Sequence, residues 1–322
     1  MYLKKKLSGK RILVTGGAGF IGSHLSQKLA DNNQVVILDN LSSGNIKNVP
    51  KSDNVTFVNG DIRDCDLVDK LVKKSDLVFH LAEFIPNTSS FGSGHVVKYS
   101  VDNPLLDFDV STRGTLIVLT RVNKHKKRLI FSSTAAVYGN SGTAFQEDMR
   151  PCPASPYGAS KFCAEEYINL FNRIYETSTS ILRLFNVYGP RQTKYVMYDT
   201  LVKLKKNPKS LSMLGSGREE RDFVFVKDAV DAFIKVAESE DTIGQTYNLG
   251  TGNATTIKSL IDHMTKLLSI DPEVEYQGES WKGDVSRLVP NITKILNLGF
   301  KPQYSLTEGL TELIEWFSSN ID

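Results

Sequence analysis

This sequence predicts an α/β fold, a doubly wound parallel sheet with a second, smaller mixed α/β lobe. Three observations predict it. Short runs rich in Val, Ile and Leu alternate with helix-like stretches, the pattern of strands covered by helices on both faces. The first such run ends in a glycine-rich turn that opens a helix. After Gly189-Pro190 the alternation loosens into shorter segments and loops, which marks the smaller lobe.

Taken in order, residues 11–15 read as a buried strand, 24–30 as an amphipathic helix and 35–39 as a second strand. Runs at 55–58, 77–81, 128–131 and 180–183 continue the series, with right-handed crossovers expected between them. Beyond the loops at Asn207-Pro208 and Gly215-Ser216-Gly217 comes a strand–helix pair over 222–237. Helices near 256–268 and 305–317 start at Thr and Ser, residues suited to capping. The expected division is a dinucleotide-binding domain over 1–185, a segment near 218–255 that returns to its sheet, and a ligand-binding lobe over 186–322.

Composition narrows the function. The chain has 322 residues, 39 Lys plus Arg against 36 Asp plus Glu, and a net charge of +3, too small to point to nucleic acid. The basic clusters at 4–6, 124–128 and 203–206 are not interleaved with aromatic residues and read as solvated faces. No run approaches the ~18 apolar residues of a membrane span. The apolar stretch a signal peptide needs after Lys4-Lys5-Lys6 is broken by Ser8-Gly9-Lys10-Arg11. Three cysteines without a CxxC pair argue against a disulfide framework or structural zinc, so a cytoplasmic protein is expected. His95, His125 and His263 have no ligand spacing, and no metal is expected.

Thr15-Gly16-Gly17-Ala18-Gly19-Phe20-Ile21-Gly22 ends the first strand, and Gly17, Gly19 and Gly22 satisfy GxGxxG. This is the dinucleotide fingerprint of a Rossmann sheet: a tight turn, close backbone approach to pyrophosphate, and a helix N-terminus facing the phosphates. Asp39 closes the second strand about 20 residues further on, where a carboxylate binds the adenosine ribose hydroxyls. Its charge repels a 2′-phosphate and the next residue is Asn40, so NAD is favoured over NADP. Gly60-Asp61-Ile62 follows the third strand, placing an acid and an apolar residue to flank adenine.

Tyr157-Gly158-Ala159-Ser160-Lys161 sets a phenol and an ammonium on one face of a helix. Ser132-Ser133-Thr134 lies at the C-terminal end of a parallel strand, where such sheets place ligands. A phenol with a pKa near 10 needs some 4 kcal/mol of differential stabilisation to act as a base near pH 7. Lys161 and a positive nicotinamide ring both favour the phenolate. The expected roles are proton removal from a carbinol by Tyr157 while NAD takes a hydride, orientation of the oxygen by Thr134, and a hold on the nicotinamide ribose by Lys161. His80, at a strand end, reads as a core or near-cofactor histidine.

Together these residues resemble the extended short-chain dehydrogenase/reductase family, specifically its NAD-dependent nucleotide-sugar epimerases and dehydratases of the UDP-glucose 4-epimerase type. The likeness runs through Gly16–Gly22, Asp39-Asn40-Leu41-Ser42-Ser43-Gly44, Gly60-Asp61-Ile62, His80-Leu81-Ala82, the segment 132–139, Tyr157/Lys161 and Asn186-Val187-Tyr188-Gly189-Pro190-Arg191. Arg221-Asp222-Phe223 and Tyr247-Asn248-Leu249-Gly250 extend it into the second lobe. The resemblance implies cofactor contacts from Gly16, Gly19, Phe20, Ile21, Asp39, Asn40, Ser42, Gly44, Asp61, Ile62, Leu81 and Ala82, joined by Tyr157 and Lys161. It implies a UDP-sugar between the lobes, met by Ser133 and Thr134, with Asn186 at its diphosphate, Arg221 at a phosphate and Asp284 near its ribose. It implies a homodimer through helices near 105–124 and 156–175. The apolar periodicity there (Leu116, Leu119, Phe162, Tyr167, Phe171) suits either that contact or the chain's own core.

Dehydratases of this family carry Asp-Glu after the catalytic Thr, and its decarboxylases a Glu just before Val-Tyr-Gly; here Ala135 and Ala136 stand there. Methyl groups shuttle no protons, so the expected reaction is 4-epimerisation of a UDP-hexose. The alternatives are another nucleotide-sugar enzyme (a dehydratase using Glu83, an enzyme acting on UDP-uronates or a net dehydrogenase/reductase) and a non-catalytic NAD-sensing module, against which the complete Thr134/Tyr157/Lys161 set argues. The chain departs from its relatives in a longer segment after His80-Leu81-Ala82, reaching Pro104, in which 89–95 is expected to be a substrate-side loop. Glu83 replaces the usual small residue near the nicotinamide, either as a second acid/base group or as a locally hydrogen-bonded carboxylate. Trp281 stands at the place of a diphosphate arginine and Ser111 at that of an asparagine, and Leu288 lies near a residue that influences tolerance for N-acetyl groups.

Overall fold

The computed structural model describes residues 7–83, 96–141, 143–278 and 285–321. The chain begins β1 (Arg11–Thr15), α1 (Phe20–Ala30), β2 (Gln34–Asp39), β3 (Val55–Asn59), α2 (Cys65–Lys74) and β4 (Leu77–His80). It continues α3 (Val96–Asp102), α4 (Pro104–Phe108), α5 (Thr115–Lys124), β5 (Arg128–Thr134), α6 (Pro156–Tyr175) and β6 (Thr179–Leu184). Then follow β7 (Asn186–Tyr188), α7 (Tyr195–Lys206), β8 (Ser210–Met213), β9 (Glu220–Arg221), β10 (Phe223–Phe225) and α8 (Val226–Glu238). The last elements are β11 (Gln245–Leu249), β12 (Thr255–Thr256), α9 (Ile257–Leu268), β13 (Glu273–Tyr276), β14 (Arg287–Leu288), α10 (Thr293–Asn297) and α11 (Leu306–Asn320).

Seven strands form one parallel sheet in the order β11-β6-β5-β4-β1-β2-β3. The order reverses between β1 and β4, and at such a switch point the C-terminal strand ends splay into a ligand crevice. β4 and β6 are buried along their whole length, because helices cover both faces. Alternate residues of β1 serve different cores: Ile12 and Val14 pack with α1 and α8, and Leu13 packs with α2, α5 and α6. Burying each such side chain contributes roughly 1.5–3 kcal/mol. From the second lobe, β11 returns to the sheet edge beside β6, Tyr247 opposite Leu182. The rest of that lobe is built on short pairings, β9 between β12 and β14, β10 beside β7, and β13 beside β8.

The structure departs from the sequence reading at three places. Helix α1 starts at Phe20 rather than 24, because Ser23 N–H donates to Gly19 O at 3.1 Å and closes a turn whose glycines hide the helical period. β5 runs on to Thr134, since its ladder with β6 needs backbone groups and not apolar side chains. The expected helix near 105–124 is interrupted by a π-turn over Asp109–Gly114 between α4 and α5. Among the residues expected at a dimer contact, Leu119 is fully buried and Leu116, Phe162 and Phe171 pack against the core; Tyr167 is exposed. All but Tyr167 thus contribute to the chain's own core. Among the described residues, no helix is long and apolar enough to cross a membrane.

Candidate active site

A cavity of about 1370 Å³ opens at the C-terminal ends of β1, β2, β4 and β5. One end is lined by Gly16, Gly19, Phe20, Ile21, Asp39, Asn40, Ser42, Gly44, Asp61, Ile62, Leu81 and Ala82. The other is lined by Ser133, Thr134, Tyr157, Lys161, Asn186, Arg221 and Leu288. Asp284, Trp281 and residues 84–95, including the expected substrate-side loop at 89–95, fall outside the described residues.

The first end is shaped by backbone. Gly16 has φ +72°, and a Cβ there would lie 2.7 Å from Ala82 N. A Cβ on Gly22 would collide with the Gly16 carbonyl oxygen. Only glycines permit this cradle at the start of α1, and a cradle so shaped fits the pyrophosphate of a dinucleotide. Asp39 Oδ2 accepts from Ala18 N at 3.0 Å and Oδ1 from Leu41 N at 2.8 Å, which aims its carboxylate at the cavity rim. Burial pushes Asp39 upward and those two N–H groups oppose it. The carboxyl of Asp61 is pulled to about 2, chiefly by its hydrogen bonds with Arg63. Arg63 also donates to Asp109 at 2.7 Å, fastening this rim to the π-turn.

Two buried polar chains stiffen the floor. Thr115 Oγ1 donates to Ser111 O at 2.5 Å and so accepts from His80 Nε2 at 3.0 Å. His80 Nδ1 then accepts from Thr15 Oγ1 at 2.6 Å, which itself accepts from Ala82 N at 3.2 Å. Burial and the Lys161 charge hold His80 down at about 3, so it is a neutral strut between the glycine turn and the π-turn. At the other end of the cavity, Ser133 Oγ donates to Glu165, which is paired with Arg183 at 2.6 Å. Arg183 donates to Tyr138 at 2.8 Å, and Tyr138 to Asn248 Oδ1 at 2.7 Å, tying β5, α6, β6 and β11 together.

Helix α6 carries the phenol and the ammonium. Ser155 caps it by accepting from Gly158 N at 3.1 Å, Pro156 occupies its first position, and Tyr157 N donates to Ser100 Oγ at 3.1 Å. Burial pushes the Tyr157 phenol well above its ordinary value, and the Glu83 carboxylate adds to that shift, while a hydrogen bond with Thr134 opposes it. Lys161 Nζ lies 2.8 Å from Glu83 Oε2, both side chains almost fully buried, and 4.3 Å above the Phe131 ring. Glu83 also accepts from Ser111. Glu83 is thus the ion-pair partner of Lys161.

Asn186 and Arg221 reach the cavity from β7 and β9. Asn186 Nδ2 donates to Asp222 O at 2.9 Å and Arg221 Nη1 to Glu220 O at 2.9 Å. The sequence reading missed Lys194 and Tyr195, which line the same wall. Burial lowers Lys194 to about 8. Arg191 and Tyr195 have φ of 69° and 72°, a conformation that bulky residues rarely adopt and that no sequence pattern announces. The turn is held by Arg191, which donates to Gln27 at 2.7 Å, and by His24, which donates to Pro190 O at 2.9 Å.

Residues 12–250 match the family model described as the NAD dependent epimerase/dehydratase family. The chain is 36% identical to a UDP-glucose 4-epimerase of Mycolicibacterium smegmatis, over 95% of this chain and 98% of that one. It superposes on a UDP-N-acetylglucosamine 4-epimerase from Methanobrevibacter ruminantium, in complex with UDP-N-acetylmuramic acid, with a TM-score of 0.89 and 34% identity, covering 98% of this chain and 100% of that one. For a UDP-glucose 4-epimerase of Thermotoga maritima with UDP-glucose the TM-score is 0.86 at 33% identity, covering 97% and 100%.

Proposed function

The chain belongs to the NAD dependent epimerase/dehydratase family, and on that premise we propose that it is a 4-epimerase of a UDP-hexose. Bound NAD would supply a reversible hydride acceptor for C4 of the sugar. The rest falls to this chain. Tyr157 takes the proton of the C4 hydroxyl and gives it back, Thr134 orients that oxygen, and Lys161 supports both the phenol and the nicotinamide ribose. Ser133, Asn186 and Arg221 line the end of the cavity proposed for the sugar nucleotide. In this reading residues 1–185, with the returning segment near 218–255, form the cofactor-binding domain, and 186–322 form the lobe that closes over the sugar nucleotide.

The observation that carries this reading is the pair of methyl groups that follows Thr134. Ala135 and Ala136 line the same cavity as Tyr157 and Lys161, and neither can move a proton during elimination or decarboxylation. The relatives described in complex with UDP-glucose and UDP-N-acetylmuramic acid support a UDP-linked sugar. Incubating the NAD-loaded protein with UDP-glucose, UDP-N-acetylglucosamine and UDP-glucuronate tests the proposal. The expected product has unchanged mass and inverted C4. A product lighter by one water, or NADH formed in proportion to sugar, refutes it.

A further inference from the structure

We propose that Glu83 is a positioning residue of the catalytic centre, whose buried carboxylate grips the Lys161 ammonium and so shares the charge available to the Tyr157 phenol. The inference rests on the reading of Tyr157 as the base. Glu83 follows β4 directly, is anchored by Ser111 of the π-turn, and reaches Lys161 Nζ at 2.8 Å with its side chain 7% exposed. Its backbone neighbour Ala82 is held by Thr15 and the neutral His80, so the carboxylate comes from a fixed point. An ammonium paired this closely presents to the phenol a dipole instead of a full positive charge.

The groups around the phenol all bear on the balance. Glu83 comes from the segment after β4, Asp107 from α4, Tyr195 from α7 and Thr134 from β5, with Lys161 one turn along α6. Asp107 is itself fully buried, and burial pushes it up to about 6, so near neutral pH part of its charge is withheld. Glu83 is the carboxylate that touches Lys161. Its consequence is a catalytic centre in which the phenol stays protonated until a further positive charge, the nicotinamide ring, lies beside it. The same ion pair fixes the ammonium over Phe131, in line with Tyr157 on the helix face.

The test is a phenolate absorbance titration of the NAD-loaded protein, with the matching Tyr157→Phe protein subtracted. Glu83→Gln is expected to raise the Tyr157 phenolate fraction about tenfold at a given pH on the alkaline-rising limb. Glu83→Asp, which keeps the charge, is expected to restore most of the original titration even if it packs less well. The rising limb of kcat against pH should move to lower pH in Glu83→Gln, with KM for the sugar nucleotide little changed. A titration that is the same in all three proteins overturns the proposal, as does a shift in Glu83→Asp as large as that in Glu83→Gln. If the absorbance shifts but no UDP-sugar is turned over, the role of Glu83 stands and the proposed substrate falls.

Discussion

Tyr157 stands between opposing influences, and their magnitudes decide its chemistry. Burial and nearby carboxylates raise the phenol, and the Thr134 hydrogen bond lowers it. Removing the oxygen by Tyr157→Phe is expected to cost roughly 10²–10⁴ in kcat, the range for a general base. NAD retention should fall far less than turnover, because the glycine cradle and Asp39 lie at the other end of the cavity. Turnover of the NAD-loaded variant, beside its coenzyme content, checks both halves; a variant within threefold of the parent removes Tyr157 from the mechanism. Tyr157 and Lys161 are legible in the sequence because one helical turn brings them together. The partner of Lys161 is not legible, since Glu83 lies on a different strand connection and only the pairing of β4 with β5 brings the two elements near.

Elements follow the same division between local and distant causes. Strands β1, β2 and β4 are plain in the sequence because apolar runs bury on both faces. β5 is legible only to Phe131, as its functional end is polar and exists through its ladder with β6. The π-turn over Asp109–Gly114 has no sequence signature, yet it delivers Ser111 to Glu83 and joins Thr112 Oγ1 to Ser160 O at 2.9 Å; insertions of this kind gather at functional sites. Helix α1 is fastened to the turn after β7 by His24, which burial lowers from 6.5 to about 4. With its folded value depressed, His24 contributes stability above pH 6.5 that is lost as pH falls toward 4, at most about 3 kcal/mol. His24→Gln retains a donor without titrating. Denaturant unfolding between pH 7 and 4 should therefore fall less steeply in the variant, and parallel curves would contradict this.

For the whole molecule, the two lobes form one cavity because β11 returns to the sheet edge and the turn after β7 locks onto α1. Outside that cavity, α4 and α6 pack together, and Leu105 (84% exposed), Phe108, Ile174 and Tyr175 remain uncovered. We propose that these uncovered side chains contribute to a contact between two copies of the chain. Light scattering should give a dimer for the parent, and Leu105→Glu with Ile174→Glu should give a monomer; identical masses would contradict the assignment.

The central claim is that the hydrogen leaving C4 stays within one protein molecule and returns to the same carbon from the other side. UDP-glucose deuterated at C4, turned over by the NAD-loaded protein in ordinary water, tests this most directly. A C4-inverted product that keeps the deuterium at C4 is expected. Deuterium found at C6 in a dehydrated sugar, in released NADH or lost to the solvent would contradict it.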